Sequence, residues 1–236
     1  MSGPAPRFGV LASTGGAVLS SLLRSPWFRA RLALVAADRE CGALAHARAA
    51  GIATALCASP DAPAREAQLA AAFAREGVGH VLVFYTRLLA HALLERFRGR
   101  LWNLHPALLP AFPGRHGIAD ALRSGARVLG TTLHVIDAGC DTGPIALQTA
   151  FARDPAAGEV ATRHAVYCQQ VRSALQLARW LADDRVRSTE DAVTVSRAPA
   201  AIVLDGALYA PGLDDDEAIR FAIAAPAAGA ALRSTP

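Results

Sequence analysis

The 236-residue sequence contains no lysine, so all 24 of its basic residues are arginine. Without a lysine amine, chemistry that forms a Schiff base on a side chain is excluded. The arginines form no stretch dense enough for a phosphate-binding stripe, and the formal net charge is only +4. We therefore expect no nucleic-acid partner.

Cysteines are few, and no two of the four stand in a CxxC pair. In a chain of this length, scattered cysteines are typical of reduced thiols and not of a disulfide framework. Apolar runs are broken by Arg, Gly or Pro well before 18 positions, so we expect no membrane span. Residues 1–7 lack the basic and apolar profile of a signal peptide. These features favour a cytoplasmic protein.

Two enzyme motifs are also missing. The sequence has no GxGxxG, so a dinucleotide-binding oxidoreductase is suggested only by the first strand, turn and helix, with Asp38 as a weak counterpart of a ribose-binding acid. No ligand cluster such as HExxH is present either, and we expect no bound metal.

What the sequence does have is a large apolar fraction, 53% hydrophobic against 19% charged residues, which suits one sizeable core. Strands are predicted at 8–12, 32–37, 52–57, 81–84, 100–105, 129–136 and 144–151. They alternate with helical segments, the longest of them at 158–184. This alternation predicts an α/β, Rossmann-like fold with a mostly parallel twisted sheet and helices on both faces.

The chain is expected to divide into three parts. Residues 1–185 form the catalytic α/β domain. Residues 186–211 form a small C-terminal β extension packed on it, a hairpin or edge strands around Asp205 and Gly206. Residues 212–236 form an acidic and then Ala-rich tail that we expect to be loosely attached.

The most informative segment is Asn103-Leu104-His105-Pro106, at the end of a predicted parallel strand. Residues two apart in a strand project from the same face, so Asn103 and His105 point together at the edge where open α/β sheets bind ligands. An amide beside an imidazole can stabilise a developing oxyanion and carry a proton. Taken alone, the pair is equally compatible with a polar cap on the following loop.

A second segment favours the catalytic interpretation. A strand at 129–136 leads into a loop that contains Asp141 between glycines, where the backbone can approach a ligand closely. If Asp141 faces His105, its carboxylate orients the imidazole and favours the protonated form. Asn103, His105 and Asp141 would then act as donor, acid/base and orienting group.

The NxHPxLLPxFxG pattern at 103–114 and the GxTxHxxDxGxDxGPIxxQ pattern at 130–148 resemble the folate-dependent formyltransferase family. They occur in the same order and spacing as in that family, and weaker similarity extends from Phe8 to about Tyr209. The resemblance implies transfer of a formyl group from 10-formyltetrahydrofolate to a small-molecule amine, with Asn103, His105 and Asp141 as the catalytic residues. It implies no metal, and it leaves a homodimer open.

The resemblance also implies where the two substrates bind. The donor's pterin is expected beside a strand end and under a loop formed by Arg87, Leu88, Leu89, Ala138, Gly139 and Cys140. The acceptor is expected near Ser13, Thr14, Gly15, Gly16, Arg65, His116 and Gln170. His134 is expected to have a structural or supporting role.

The acceptor side departs from the family pattern. The family's Gly-Ser-Asn turn, which holds the acceptor's phosphate, is Gly16-Ala17-Val18 here, and a family glutamate corresponds to Gln170. The acceptor is therefore either phosphoribosylglycinamide of purine biosynthesis, the best single choice, or another amine such as an amino sugar or a specialised metabolite. A formyltetrahydrofolate hydrolase, although it normally carries a further N-terminal domain, and a silent folate-binding protein are the remaining alternatives.

Overall fold

The structure, a computed structural model, describes residues 6–89 and 92–221. Within these residues the chain forms eleven β-strands. In chain order they are β1 (Arg7–Ala12), β2 (Leu32–Ala37), β3 (Thr54–Leu56), β4 (Val78–Phe84), β5 (Leu101–His105), β6 (Val128–Val135), β7 (Ile145–Ala152), β8 (Val186–Ser188), β9 (Val193–Val195), β10 (Ile202–Leu204) and β11 (Ala207–Ala210).

The described residues also form eight α-helices, with a short 3₁₀ turn, Pro155–Ala157, before the longest. The helices are α1 (Ala17–Leu22), α2 (Pro26–Arg29), α3 (Gly42–Ala49), α4 (Ala62–Arg75), α5 (Ala92–Arg96), α6 (Gly117–Arg123), α7 (Gly158–Ala182) and α8 (Asp216–Arg220). Among these helices, none has the length and apolar character that crossing a bilayer requires.

Nine of the strands form one sheet in the order β10-β11-β7-β6-β5-β4-β1-β2-β3. From β3 to β5, neighbouring strands pair in parallel, and from β5 to β10 they pair antiparallel. The parallel part requires crossover connections, which the helices between these strands supply. The predicted fold class, an α/β Rossmann-like sheet with added C-terminal strands, is confirmed.

Helices cover both faces of the sheet. On one face, Leu19 of α1, Leu44 of α3 and Trp180 of α7 belong to one buried cluster. On the other face, Phe73 of α4 and Leu93 of α5 belong to a second cluster. A parallel strand between two such layers must be apolar on both sides, which explains the uninterrupted apolar runs in β1, β2 and β4.

Four short elements escaped prediction. Helix α2 has only four residues and depends on local chemistry: the Ser25 side chain accepts a hydrogen bond from Phe28 N, and Pro26 occupies the first turn. The buried Phe28 then fixes it to the core. Helices α5 and α8 and strand β8 are also too short to produce a clear periodic signal.

The C-terminal strands join the molecule in two ways. Strand β9 pairs with β8 in a separate two-stranded sheet. Strands β10 and β11 form a hairpin that turns at Asp205-Gly206, where φ is 50° and 75°. Asp and Gly tolerate this left-handed conformation, which two-residue hairpin turns require. Strand β11 pairs with β7, so the hairpin extends the main sheet.

The acidic stretch that follows is docked on helix α7 instead of loosely attached. Asp214 accepts hydrogen bonds from Trp180 Nε1 and Gln176 Nε2, at 2.9 and 2.8 Å, and lies 2.7 Å from an Arg185 nitrogen. These partners could not be recognised from the local sequence because they lie some 30 to 40 positions earlier. The predicted Ala-rich tail from residue 222 onward lies outside the described residues.

Candidate active site

The carboxyl ends of β1, β4 and β5 meet at one edge of the sheet. In open α/β sheets this edge is where ligands bind. Strand β5 lies at the boundary between the parallel and antiparallel parts of the sheet, between β4 and β6. Its last residues therefore lie beside a parallel strand, β4, on one side and an antiparallel strand, β6, on the other. Loops that belong to either side of the sheet can contact them.

Asn103 and His105 lie on the same face of β5, as their spacing predicts. The antiparallel register places Asn103 opposite His134 and His105 opposite Thr132 on β6. Asn103 Nδ2 lies 3.2 Å from His134 Nε2. The strand pairing thus brings an amide and two imidazoles to one place.

Asp141 reaches the same place from the loop between β6 and β7. Its Oδ2 lies 3.3 Å from His105 Nδ1, and its Oδ1 lies 3.4 Å from Asn103 Nδ2. The backbone amide of Gly114 donates a hydrogen bond of 2.7 Å to Oδ2. The structure therefore brings together the three side chains that the sequence predicts to converge.

Asp141 is strongly favoured in its ionised form. The contact with the His134 ring is the largest influence on its pKa, and the Gly114 amide and His105 act in the same direction. Burial opposes them but is outweighed, and the pKa of Asp141 is lowered to about 2. A permanent negative charge therefore lies between the two histidines at neutral pH.

His105 corrects one expectation about protonation. Its Nε2 lies 2.8 Å from the carbonyl oxygen of Phe112, and since a carbonyl can only accept, Nε2 carries a hydrogen. We expected Asp141 to favour the protonated imidazole, and the carboxylate does act in that direction. Burial has the larger effect, however, and lowers the pKa of His105 below its ordinary value. The resting imidazole is therefore neutral at pH 7.

His134 supports the other side chains. Its Nδ1 lies 2.9 Å from the carbonyl oxygen of Val135, so Nδ1 carries a hydrogen. Its Nε2 lies 3.5 Å from Asp141 Oδ1 and 3.2 Å from Asn103 Nδ2. The contact with Asn103 orients the Asn103 amide with its donor group toward Asp141. The prediction of a supporting role for His134 agrees with this geometry.

The loop after β5 is held by side chains that were not singled out from the sequence. Thr132 Oγ1 donates to the Ala107 carbonyl and accepts from Leu109 N, at 2.8 and 3.0 Å. Gln148 Nε2 donates to the Leu109 carbonyl at 2.8 Å. Thr132 and Gln148 both lie within the second motif, at 130–148. Their positions in that motif are the sequence feature by which they could have been identified.

Two other features of this loop also shape the site. Phe112, whose carbonyl faces His105, has a positive φ of 56°, as does Asp141. A positive φ is unfavourable for a bulky residue such as Phe112 and uncommon even for Asp, and such residues tend to cluster at functional sites. A Cβ atom on Gly117 would lie 2.6 Å from His105 Nε2, so no larger residue fits beside the imidazole.

The predicted donor-binding residues lie in two exposed segments and one buried position. Leu88 is 72% exposed although its side chain is large and apolar, whereas Leu89 is buried in the core. Ala138, Gly139 and Cys140 are exposed in the loop that carries Asp141. An exposed apolar side chain such as that of Leu88 suits a flat heteroaromatic ring.

The Arg87 side chain turns to the end of β2. Its Nε lies 2.8 Å from Oδ2 of the buried Asp38, which also contacts Arg39 at 3.1 Å. Burial works against ionisation of Asp38, yet these contacts hold the pKa of the carboxyl below its ordinary value. The Arg87 guanidinium is therefore engaged with Asp38 and fixes the end of β4 to the end of β2.

The predicted acceptor turn follows β1. Ser13 is buried and its Oγ lies 3.1 Å from Thr86 Oγ1, whereas Thr14 and Gly15 are exposed. Gly16 begins α1 with φ 74°, and a Cβ there would lie 2.6 Å from the backbone of Ala43. The turn thus packs closely against Ala43 at Gly16, whereas Thr14 and Gly15 are exposed to solvent.

The other three predicted acceptor residues differ in exposure and in their contacts. Arg65 is buried, and its guanidinium donates to the carbonyl of Ser59 at 2.9 Å. His116 is exposed at the start of α6. Gln170 Nε2 donates to the carbonyl of Leu104, between the two catalytic positions of β5, at 2.9 Å. Among the described residues, Gln170 is the one of these three with a side-chain hydrogen bond to the catalytic strand.

Known proteins match this chain over most of its length. The sequence profile described as "Formyl transferase" matches residues 10–167. The phosphoribosylglycinamide formyltransferase of Mycobacterium tuberculosis (strain CDC 1551 / Oshkosh) is 46% identical over 153 residues, which cover 62% of this chain and 71% of that protein.

Solved structures agree. Glycinamide ribonucleotide transformylase 1 from Symbiobacterium toebii has a TM-score of 0.77 at 32% identity, over 83% of this chain and 96% of that one. Phosphoribosylglycinamide formyltransferase from Brucella melitensis has a TM-score of 0.68 at 31% identity, over 75% and 96% of the two chains.

Proposed function

This chain belongs to the formyl transferase family, and on that premise we propose that it transfers the formyl group of 10-formyltetrahydrofolate to the primary amine of phosphoribosylglycinamide. The Asp141 carboxylate lies within 3.4 Å of polar atoms of both His105 and Asn103, and this convergence carries the proposal. Acyl transfer to an amine needs an oxyanion donor, a proton carrier and a group that orients the carrier, and these three side chains supply them.

The first step is attack by the neutral amine on the formyl carbon. A carbon–nitrogen bond forms, and the carbonyl electron pair moves onto the oxygen. Asn103 Nδ2 donates to this oxyanion in place of its long, 3.4 Å contact with Asp141. A donor already held by His134 needs little reorientation, and such preorganised donors stabilise the transition state.

The second step moves one proton. His105 starts neutral because burial lowers its pKa, so its ring can accept the proton that the attacking amine loses. The resulting imidazolium is stabilised by the ionised Asp141 carboxylate 3.3 Å away. The proton then passes, directly or through a water, to the folate nitrogen, whose bond to the formyl carbon breaks to release tetrahydrofolate.

The donor is proposed to bind across the exposed Leu88 side chain, with residues 138–140 closing over it. The Arg87–Asp38 ion pair supports this assignment because it fixes the segment that carries Leu88. In this arrangement the pterin removes a large apolar side chain from water, which favours binding.

A second acceptor class is favoured by one observation. Ala17 and Val18, the first residues of α1, have no polar side-chain atoms, so a phosphate there would bind only through backbone amides and neighbouring hydroxyls. Each missing hydrogen bond to a charged group weakens binding by about tenfold or more. An amine without a phosphate, such as an amino sugar, would not depend on these contacts.

The experiment is to incubate the protein with 10-formyltetrahydrofolate and, in parallel, phosphoribosylglycinamide, an amino sugar or no amine. Release of tetrahydrofolate is followed by absorbance and the formylated product by mass spectrometry. Product with phosphoribosylglycinamide alone supports the proposal. Product with the amino sugar alone supports the second acceptor class, and folate release without amine identifies a hydrolase. Binding of the folate without turnover would contradict enzymatic function.

Three further features of the protein belong to the same proposal. The enzyme acts in the cytoplasm. It functions as a monomer or as a homodimer, which sedimentation across a range of protein concentrations distinguishes. Its catalytic domain comprises residues 1–185, followed by the β extension 186–211 and the tail 212–236, which limited proteolysis tests.

A further inference from the structure

The loop between β6 and β7 carries a hydrogen-bonded contact that lies beside the catalytic side chains. Thr142 Oγ1 lies 2.9 Å from both carboxylate oxygens of Asp137, and the backbone amide of Gly139 donates to Asp137 Oδ1 at 3.0 Å. We call these three residues the loop clamp. They join the first and last parts of a loop whose other residues, Ala138, Cys140 and Asp141, are exposed or half-exposed.

The clamp constrains which residues the loop can contain. A Cβ atom on Gly139 would lie 2.0 Å from Thr142 Oγ1, so any side chain there would displace the hydroxyl from Asp137. At the base of the loop, a Cβ on Gly143 would lie 1.9 Å from the carbonyl oxygen of Val135. Both glycines are therefore required by close contacts.

The residues that the clamp encloses are those assigned above to the reaction. Ala138 and Cys140 are among the proposed donor-binding residues, and Asp141 adopts φ 56° with its carboxylate directed at His105. A positive φ is uncommon for a non-glycine residue and is kept where the surroundings favour it. The clamp supplies that restraint from within the loop, before any substrate contact is made.

We propose that Asp137 and Thr142 are positioning residues that hold this loop in its donor-binding conformation before 10-formyltetrahydrofolate arrives. The inference rests on the proposed function, because it assigns a role in the binding of that donor. Neither side chain has a recorded contact with Asn103 or His105 among the described residues. Both act through the loop backbone and not on the reacting atoms.

The expected change in kinetics follows from the fraction of enzyme molecules whose loop can bind the donor. When only a fraction of the enzyme has a binding-competent loop, the apparent dissociation constant rises by the inverse of that fraction. Loss of the clamp should therefore raise KM for the formyl donor by about tenfold if about one loop in ten remains ordered. Saturating donor reorders the loop, so kcat and KM for the amine should change less than about twofold.

The test uses the full-length chain. Asp137→Ala and Thr142→Val remove the two sides of the clamp, and Gly139→Ala should reproduce their effect because its methyl group displaces the Thr142 hydroxyl. Thr142→Ser keeps the hydroxyl, and Asp137→Asn keeps one side-chain oxygen that can accept from both Gly139 N and Thr142 Oγ1, so these two variants serve as matched controls. Because both residues act through the same bonds, the Asp137→Ala/Thr142→Val double variant should resemble either single variant.

Equilibrium binding of 10-formyltetrahydrofolate, measured by calorimetry without amine, keeps this test separate from the proposed reaction. Weakened donor binding in Asp137→Ala, Thr142→Val and Gly139→Ala, with both controls near the wild type, supports the clamp even if no acceptor is ever formylated. Unchanged donor affinity in Thr142→Val, or a fall in kcat at unchanged KM, would overturn it. A lowered melting temperature with unchanged donor affinity would show that the clamp only stabilises the fold. That result would also overturn the proposal.

Discussion

Two groups of residues at the same edge of the sheet are held in different ways. In the transfer centre, which comprises Asn103, His105 and Asp141, every side chain has a polar partner within 3.4 Å. In the acceptor turn, residues 13–16, only Ser13 has a recorded side-chain hydrogen bond among the described residues. The following Ala17 and Val18 add no polar side-chain atom.

This difference has a physical reason. The transfer centre must place a donor and a proton carrier within tenths of an ångström of the reacting carbon, and only side chains fixed by several partners do so. Backbone amides, by contrast, can bind an anion whatever side chains they carry. The chemistry is therefore tied to particular residues, whereas the acceptor side tolerates substitution.

The largest effect is expected from Asp141→Asn. Asn tolerates a positive φ, so the loop should keep its conformation, but the charge that stabilises the imidazolium is lost. We expect kcat to fall on the order of 10³-fold, as is typical when an electrostatic and an acid/base contribution are lost together. Steady-state kinetics measures this, with the exposed Asp191→Asn as the matched control.

A decrease below tenfold would show that Asp141 does not control His105. The difference between the two regions would then disappear, because neither would depend on a particular side chain.

Gly117→Ala tests how closely the transfer centre is packed. The new methyl group would lie 2.6 Å from His105 Nε2, so the imidazole or the Phe112 carbonyl beside it must move. Displacement by about 1 Å typically costs about 10²-fold in rate. Gly117 is the first residue of α6 and not at a positive φ, so Ala itself is compatible with the backbone.

Rate measurements on Gly117→Ala should be paired with its thermal unfolding midpoint. A lower kcat with the protein still folded and its midpoint lowered by only a few degrees is the expected result, because the crowded groups must shift. Full activity would mean that the position of the His105 ring is not critical.

Adding polar side chains to the acceptor turn should improve substrate binding, whereas the substitutions in the transfer centre lower the rate. Ala17→Ser with Val18→Asn supplies two donors at the start of α1, and we expect KM for phosphoribosylglycinamide to fall by about tenfold or more. KM for 10-formyltetrahydrofolate, measured in the same assays, should not change. An unchanged KM for the phosphorylated amine would indicate that backbone amides already suffice or that this amine is not the acceptor.

The fold and the transfer centre could be predicted because their signals are local. Apolar runs of four to six residues identified β1, β2 and β4, and two motifs placed Asn103 and His105 at the end of one strand and Asp141 in the loop after its neighbour. The supporting contacts were less visible, since Gly114 and Phe112 act through backbone atoms, which no side-chain pattern reports.

Other features depend on long-range partners. The neutral state of His105 results from burial that only the packed structure provides, so the sequence suggested the opposite protonation. Asp214 was assigned to a loose tail because its partners Trp180 and Gln176 are distant in sequence. Arg87 was expected to line the donor site, and its ion pair with Asp38 joins two strand ends that are not consecutive in the chain.

The smallest expected effect concerns acid stability of the transfer centre. The pKa of Asp141 is lowered from 3.8 to about 2, so its ionised form stabilises the fold above pH 3.8, and this contribution is lost as the pH falls through about 2. One pKa unit corresponds to about 1.4 kcal/mol, so the contribution is of the order of 2 kcal/mol. Urea unfolding of the wild type and of Asp141→Asn should therefore differ by roughly this amount at pH 5 and converge near pH 2. Because all other acidic groups are common to both proteins, a difference that persists to pH 2 would show that Asp141 is held by contacts other than its charge.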